Sequence, residues 1–215
     1  MTKKHSKLIL IFIMIVAGIW SCTLHSPKSE KTAINDIPLN TGVNNVYFLT
    51  DMEKEIVMEL NVVRTDPKRY ADFLKSLRGR PQWNQGLDET IFFVEKREPL
   101  PPFRISKGLS LAARNLLNDR GPEGLTGHVG KDGKSMFERM DTYGQWDGKA
   151  GEYLGYGYNE AEALVARMAI DEGSAVKDSQ QYIFDRDFHV VGVACGPHKS
   201  YRIMCVIDFA GSYKE

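Results

Sequence analysis

The chain has 215 residues, and its 28 lysine and arginine residues match its 28 aspartate and glutamate residues, for a formal net charge of +0. That balance, without a basic cluster of the kind that neutralises phosphates, argues against a nucleic-acid partner. Setting aside the N-terminal segments leaves roughly 165 residues, which suits one domain with a sizeable core.

Lys3, Lys4 and Lys7 form a positive start, and Leu8 to Trp20 is an unbroken apolar run. The run is shorter than the roughly 20 residues that span a bilayer, so residues 1–21 are expected to be a secretory signal. It stops at Ser21-Cys22, a small residue directly before a cysteine, which resembles the lipobox of bacterial lipoproteins. The resemblance implies cleavage before Cys22, lipid on that residue and a place in the bacterial cell envelope outside the cytoplasm. A short membrane anchor, or a plain signal with an incidental cysteine, is the alternative. Residues 22–47, with Ser, Thr, Asn, Lys and Pro and little periodicity, read as a flexible tether.

Met52, Ile56, Leu60 and Val63 recur at helical spacing, with Asp51 ahead of them as the N-cap. Pro67 ends this helix or opens a second through KRYADFLKSL, because proline is tolerated in a first helical turn. Arg78 to about Pro102 reads as an extended connection with a short helix near TIFFVEKR. Leu109, Ala112, Ala113, Leu116 and Leu117 form an apolar face behind Ser106, and the alanines suit close packing on a sheet. Met136, Phe137 and Met140 mark a third helix, and Ala161, Leu164, Val165 and Met168 a fourth.

The strands come late. FHVVGVAC and RIMCVIDFAG are β-branched and apolar around a Gly-Pro turn region and read as a central hairpin, with EYLGYGY a further strand. On that strand Tyr153, Tyr156 and Tyr158 either line a groove or, more plainly, fall on alternate faces. Helices first and strands last favours an α+β fold, an antiparallel sheet covered by helices. Cys195 and Cys205 flank the hairpin turn and either bridge the two strands or stay as buried thiols.

In chain order LNVVRTDP, LSLAARNLLND, TGHVGKDG, GEYLGYG and VVGVACGPHKSYRIMCVIDFAG resemble the CAP superfamily, the cysteine-rich secretory, antigen five and pathogenesis-related proteins, in its bacterial form. The resemblance sets the domain at residues 48–215. It implies a three-layer α/β/α sandwich with a largely antiparallel sheet, and a cleft of two histidines and two acids that holds a divalent metal in many members. Carried over, the first histidine is His128, the first acid Glu152, and the second acid Glu172, or Asp171 one residue earlier. Ser179, in the segment Lys177-Asp-Ser-Gln-Gln181, stands where the second histidine falls, and Tyr153 replaces the family's asparagine.

A serine hydroxyl is a poor substitute for imidazole, so no cofactor is expected, with weak zinc binding by His128, Glu152 and Glu172 as the alternative. His189 opens a strand and His198 sits in the hairpin turn, so neither is placed by motif. The plain reading of His128 is an imidazole bonded to Glu152 that fixes two loops. A Ser179–His128–Glu152 triad would lack the glycine elbow that presents a nucleophile. The functional expectation is a lipid-anchored extracytoplasmic binding or interaction module with a degenerate His/Glu cleft and no catalysis of its own. Its rivals are a weak metal-assisted hydrolase using His128 and Glu152, and a lipid- or sterol-binding protein. The expected partner is an extracytoplasmic ligand, protein or lipid of unknown identity, with the membrane reached through the N-terminal lipid.

Overall fold

The computed structural model describes residue 43, residues 46–173 and residues 181–215, so the expected signal, Cys22, Lys177 and Ser179 lie outside the described residues. The element order is α1 (Asp51–Thr65), α2 (Pro67–Ser76), α3 (Leu87–Glu95), β1 (Arg104–Ile105), α4 (Lys107–Arg120), α5 (Met136–Tyr143), β2 (Gln145–Tyr156), α6 (Ala161–Gly173), β3 (Val190–His198) and β4 (Arg202–Lys214). Among the described residues no helix is long and apolar enough to cross a membrane.

The cap of helix α1 lies one residue earlier than expected. Thr50, not Asp51, is the N-cap: its hydroxyl accepts from Glu53 N (3.3 Å) and its own N–H donates to the Glu53 carboxylate (2.8 Å). This reciprocal pairing satisfies two amides at once, which a carboxylate at position 51 would not do. Asp66 then joins two helices. Its N–H closes α1 on the Val62 carbonyl, and its side chain caps α2 by accepting from Arg69 N (3.2 Å), with Pro67 in the first turn.

The sheet order is β1-β3-β4-β2, with β1 parallel to β3 and the remaining pairs antiparallel. The two-residue β1 carries no hydrophobic pattern and forms because Arg104 N and Ser106 N reach the carbonyls of His189 and Val191. It covers only the start of β3. Further along, the Val193 N–H goes to the Ser110 hydroxyl (3.2 Å) and the Cys195 N–H to the Glu53 carboxylate (2.7 Å), so side chains satisfy an edge that no strand covers.

Alternation along the strands gives the sheet two apolar faces. On one, Met204, Val206 and Ala194 pack against Ala113, Leu116 and Leu117 of α4, while Val190 and Ala210 meet Leu109, Ala112 and, from α5, Met140. Gly192 permits this approach: a Cβ there would lie 2.3 Å from the backbone of Leu109 and Ser110. On the other face Phe209 stacks on Tyr182 and packs against Phe103 and Phe188. Leu164 of α6 fills the space beside Gly155 on that same face. Helices therefore cover both sides of a mostly antiparallel sheet, the mixed α+β layering expected from the order of elements.

Cys195 and Cys205 stand directly opposite in the register and are joined by a disulfide, S–S 2.06 Å, with their Cα atoms 4.1 Å apart. Of the two readings left open by the sequence, the bridge is the one the fold adopts.

Candidate functional site

The loop between α4 and α5 carries His128 and is tied down from several sides. Gly127, at a φ of 101° that favours glycine, turns its N–H toward the Tyr156 hydroxyl (3.2 Å) on β2. Arg120 donates to the Val129 carbonyl, and His198 Nε2 donates to the Leu125 carbonyl (3.0 Å). His198 Nδ1 accepts from the amides of Ser200 (3.2 Å) and Tyr201 (3.1 Å), so both its ring nitrogens are committed to structure. His189 is exposed at the strand entrance, where among the described residues only its backbone is engaged.

His128 Nδ1 donates to Glu152 Oε1 at 2.8 Å. The other carboxylate oxygen, Oε2, accepts from Arg139 Nη2. Arg139 is 1% exposed and also donates to the carbonyls of His128 (2.8 Å) and Lys134 (3.1 Å), so one guanidinium binds the carboxylate and both limbs of the loop. The Glu152 side chain is completely buried, whereas that of His128 is 57% exposed. The imidazole thus sits at the surface with its Nε2 turned from the carboxylate, a geometry open to a ligand.

Asp208 faces Glu152 directly across β4 and β2. It is fully buried, and neither of its oxygens meets an N–H or O–H donor among the described residues. Two ionised carboxylates this close cannot share one arginine in a dry interior. Burial, and after it the negative charge of Glu152, pushes the Asp208 carboxyl well above the ordinary carboxylate range. Because Glu152 already holds Arg139 and His128, the proton belongs on Asp208, which donates it to Glu152. Asp208 and Arg139 were absent from the sequence reading. The one signal that marked Asp208 was its phase, in register with Met204, Val206 and Ala210 on an apolar face.

The expected third member is elsewhere. Glu172 belongs to α6, on the face opposite Glu152, and its oxygens accept from the Ile183 amide at 2.9 and 3.2 Å. Burial raises its carboxyl to about 8, opposed by the amides of residues 182–184. Asp171, the alternative one residue earlier, is paired with Arg167 and accepts from the Tyr153 hydroxyl (3.2 Å). Tyr153 therefore ties β2 to α6, while Tyr156, on the other face, reaches the His128 loop. The structure brings together His128 and Glu152 and leaves Glu172 and Asp171 in separate roles.

Among the described residues His128, Glu152 and Glu172 do not converge as one ligand set: Arg139 holds one oxygen of Glu152, and Glu172 accepts from a backbone amide on the opposite face. Among the described residues no group of three or more His, Cys, Asp or Glu side chains is arranged to hold a metal ion.

No family model matches the chain, and no curated protein matches it. Among solved structures it is similar to an outer surface protein from Borrelia burgdorferi, with 16% identity and a TM-score of 0.42 over 68% of this chain and 92% of that one. It is also similar to a cysteine-rich secretory protein from Staphylococcus aureus subsp. aureus Mu50, with 13% identity and a TM-score of 0.37 over 59% of this chain and 40% of that one.

Proposed function

We propose that this chain is a CAP-like extracytoplasmic binding or interaction module, held to the membrane by lipid on Cys22, whose His128–Glu152 corner braces a recognition loop and performs no catalysis. The observation that carries the reading is the state of Glu152: both oxygens are committed, one to His128 and one to Arg139, and the side chain is sealed from water. A general base must reach the proton it removes, and a buried carboxylate neutralised by an arginine does not. The loop it braces presents Leu125 and Val129, 40% and 45% exposed, with Tyr201, 49% exposed, packed on the His198 that holds Leu125. An apolar surface around one polar ring suits recognition. The Cys195–Cys205 bridge and the apolar run leading to Ser21-Cys22 both favour an oxidising compartment.

Two experiments test this. Cys22→Ser is expected to release the protein from the membrane fraction; unchanged fractionation together with an unmodified Cys22 peptide by mass spectrometry rejects the anchor. Glu152→Gln is expected to speed hydrogen exchange in residues 124–134 without changing any hydrolysis of ester, peptide or glycan substrates. Stoichiometric turnover that disappears in Glu152→Gln, or sub-micromolar zinc binding by the parent that disappears in His128→Ala, replaces this reading with the hydrolase.

A further inference from the structure

A cavity of about 440 Å³ lies where the end of α1, the start of α2, the segment after α3 and residues 181–186 meet. Its accessible apolar lining comes from Leu100 and Phe184, and its charged lining is weighted toward cations. Lys96 lies over the Phe92 ring (3.5 Å) and Arg97 over the Phe93 ring (3.8 Å), while Phe93 itself packs edge-on against Phe184 (5.0 Å). Among the described residues Lys96, Arg97 and Arg186 have no carboxylate partner. Aromatic rings hold the first two in place without neutralising them. Burial lowers the Arg97 guanidinium from its ordinary value, the mark of a charge that has lost water and gained no counter-ion.

Arg64 adds a fixed charge at the wall. It is 1% exposed and donates to the carbonyls of Pro101 (2.7 Å), Ile183 (2.8 Å), Asp185 (3.0 Å) and Phe188 (3.0 Å), with the Phe103 ring at 4.1 Å. Carbonyl dipoles and a ring stabilise the guanidinium without cancelling its charge. Of the two acids on the lining, Asp185 is paired with Lys149 (2.7 Å), which leaves Glu98 against four cations.

We propose that this cavity binds a small organic anion, with its phosphate or carboxylate between Lys96, Arg97 and Arg186 and a short apolar body against Leu100 and Phe184. The site is separate from the His128 corner. The ligand supplies the counter-charge that the fold omits, and charge-assisted hydrogen bonds to arginine give it orientation.

The test uses the full chain in detergent, with n-hexyl phosphate, n-hexanoate and inorganic phosphate as probes, and phenylglyoxal labelling of arginine read by mass spectrometry. Hexyl phosphate or hexanoate is expected to slow labelling of Arg97 and Arg186 but not of Arg202, and to bind more tightly than inorganic phosphate. Arg186→Gln, at an exposed position where folding is not at stake, and Arg97→Gln should each weaken binding about tenfold, the worth of one charged hydrogen bond. Absence of selective protection by all three probes, or equal affinity in parent and both variants, overturns the proposal. So does sedimentation of the protein with phosphatidic acid vesicles that depends on Arg186 while hexyl phosphate and hexanoate give no protection, because the site then reads a lipid surface.

Discussion

Replacing Asp208 by asparagine tests whether the buried carboxylate pair carries a proton. Glu152 and Asp208 face each other across two strands, both side chains are buried, and Arg139 and His128 are committed to Glu152. An aspartate in the unfolded chain ionises near pH 3.9, so the unfolded state gives up this proton in mild acid while the native state keeps it. The folded value is raised, and the sign follows: the stability tied to this proton is fully present below the unfolded value and is lost as pH rises toward the folded one. Asparagine keeps the shape and an N–H donor toward Glu152 and has no proton to lose. The variant should therefore gain on the parent as pH rises from 5 toward 7, by at most about 1.4 kcal/mol per pH unit for the one proton. Urea unfolding at the two pH values, with the disulfide intact and m compared between proteins, measures this difference. Glu59 and Glu172, raised to about 7 and about 8 by burial, tilt both proteins alike and cancel. A stability gap that stays constant from pH 5 to pH 7 refutes the protonated Asp208.

Four further outcomes are expected. Glu172→Ala should cost about 2 kcal/mol or more by orphaning buried amides, and should speed hydrogen exchange at Ile183 and Phe184; unchanged protection there would show that the carboxyl is dispensable. The stability that Glu172 contributes is fully present in acid and is lost as pH rises from about 4.5 to about 8, so Glu172→Gln should flatten the parent's decline across that range in denaturant titrations. Gly192→Ala drives a Cβ into the backbone of α4 and should destabilise by about 1–3 kcal/mol, read as a lowered thermal midpoint; an unaltered midpoint would mean that α4 shifts freely. Removing the Cys195–Cys205 bridge with paired alanines should cost about 2–3 kcal/mol for so short a loop, seen as a lower urea midpoint than that of the oxidised parent, and equal midpoints would contradict it.

Local pattern alone determined most of the elements. The spacing of Ile56, Leu60 and Val63, the alanine face of α4 and the β-branched runs around the hairpin each specify a period, and the period selects helix or strand before any long-range contact forms. The hairpin likewise carried its cysteines to opposite strands, since a short connection leaves few registers. The motifs resembling CAP proteins led to His128 and Glu152, and these do meet at 2.8 Å. What the sequence did not disclose is how charges are shared across distant segments. Arg139 lies 13 residues before Glu152, Asp208 is on a different strand, and nothing in either neighbourhood says that one guanidinium, two carboxyls and a single proton form a unit. Glu172 shows the same limit from the other side: it is a cleft acid by motif, yet α6 packs on the face opposite Glu152 and turns it toward the amides of residues 182–184. Periodicity is a property of one segment, whereas desolvation and charge compensation depend on which segments exclude water together, and only the packed sheet with helices on both faces decides that.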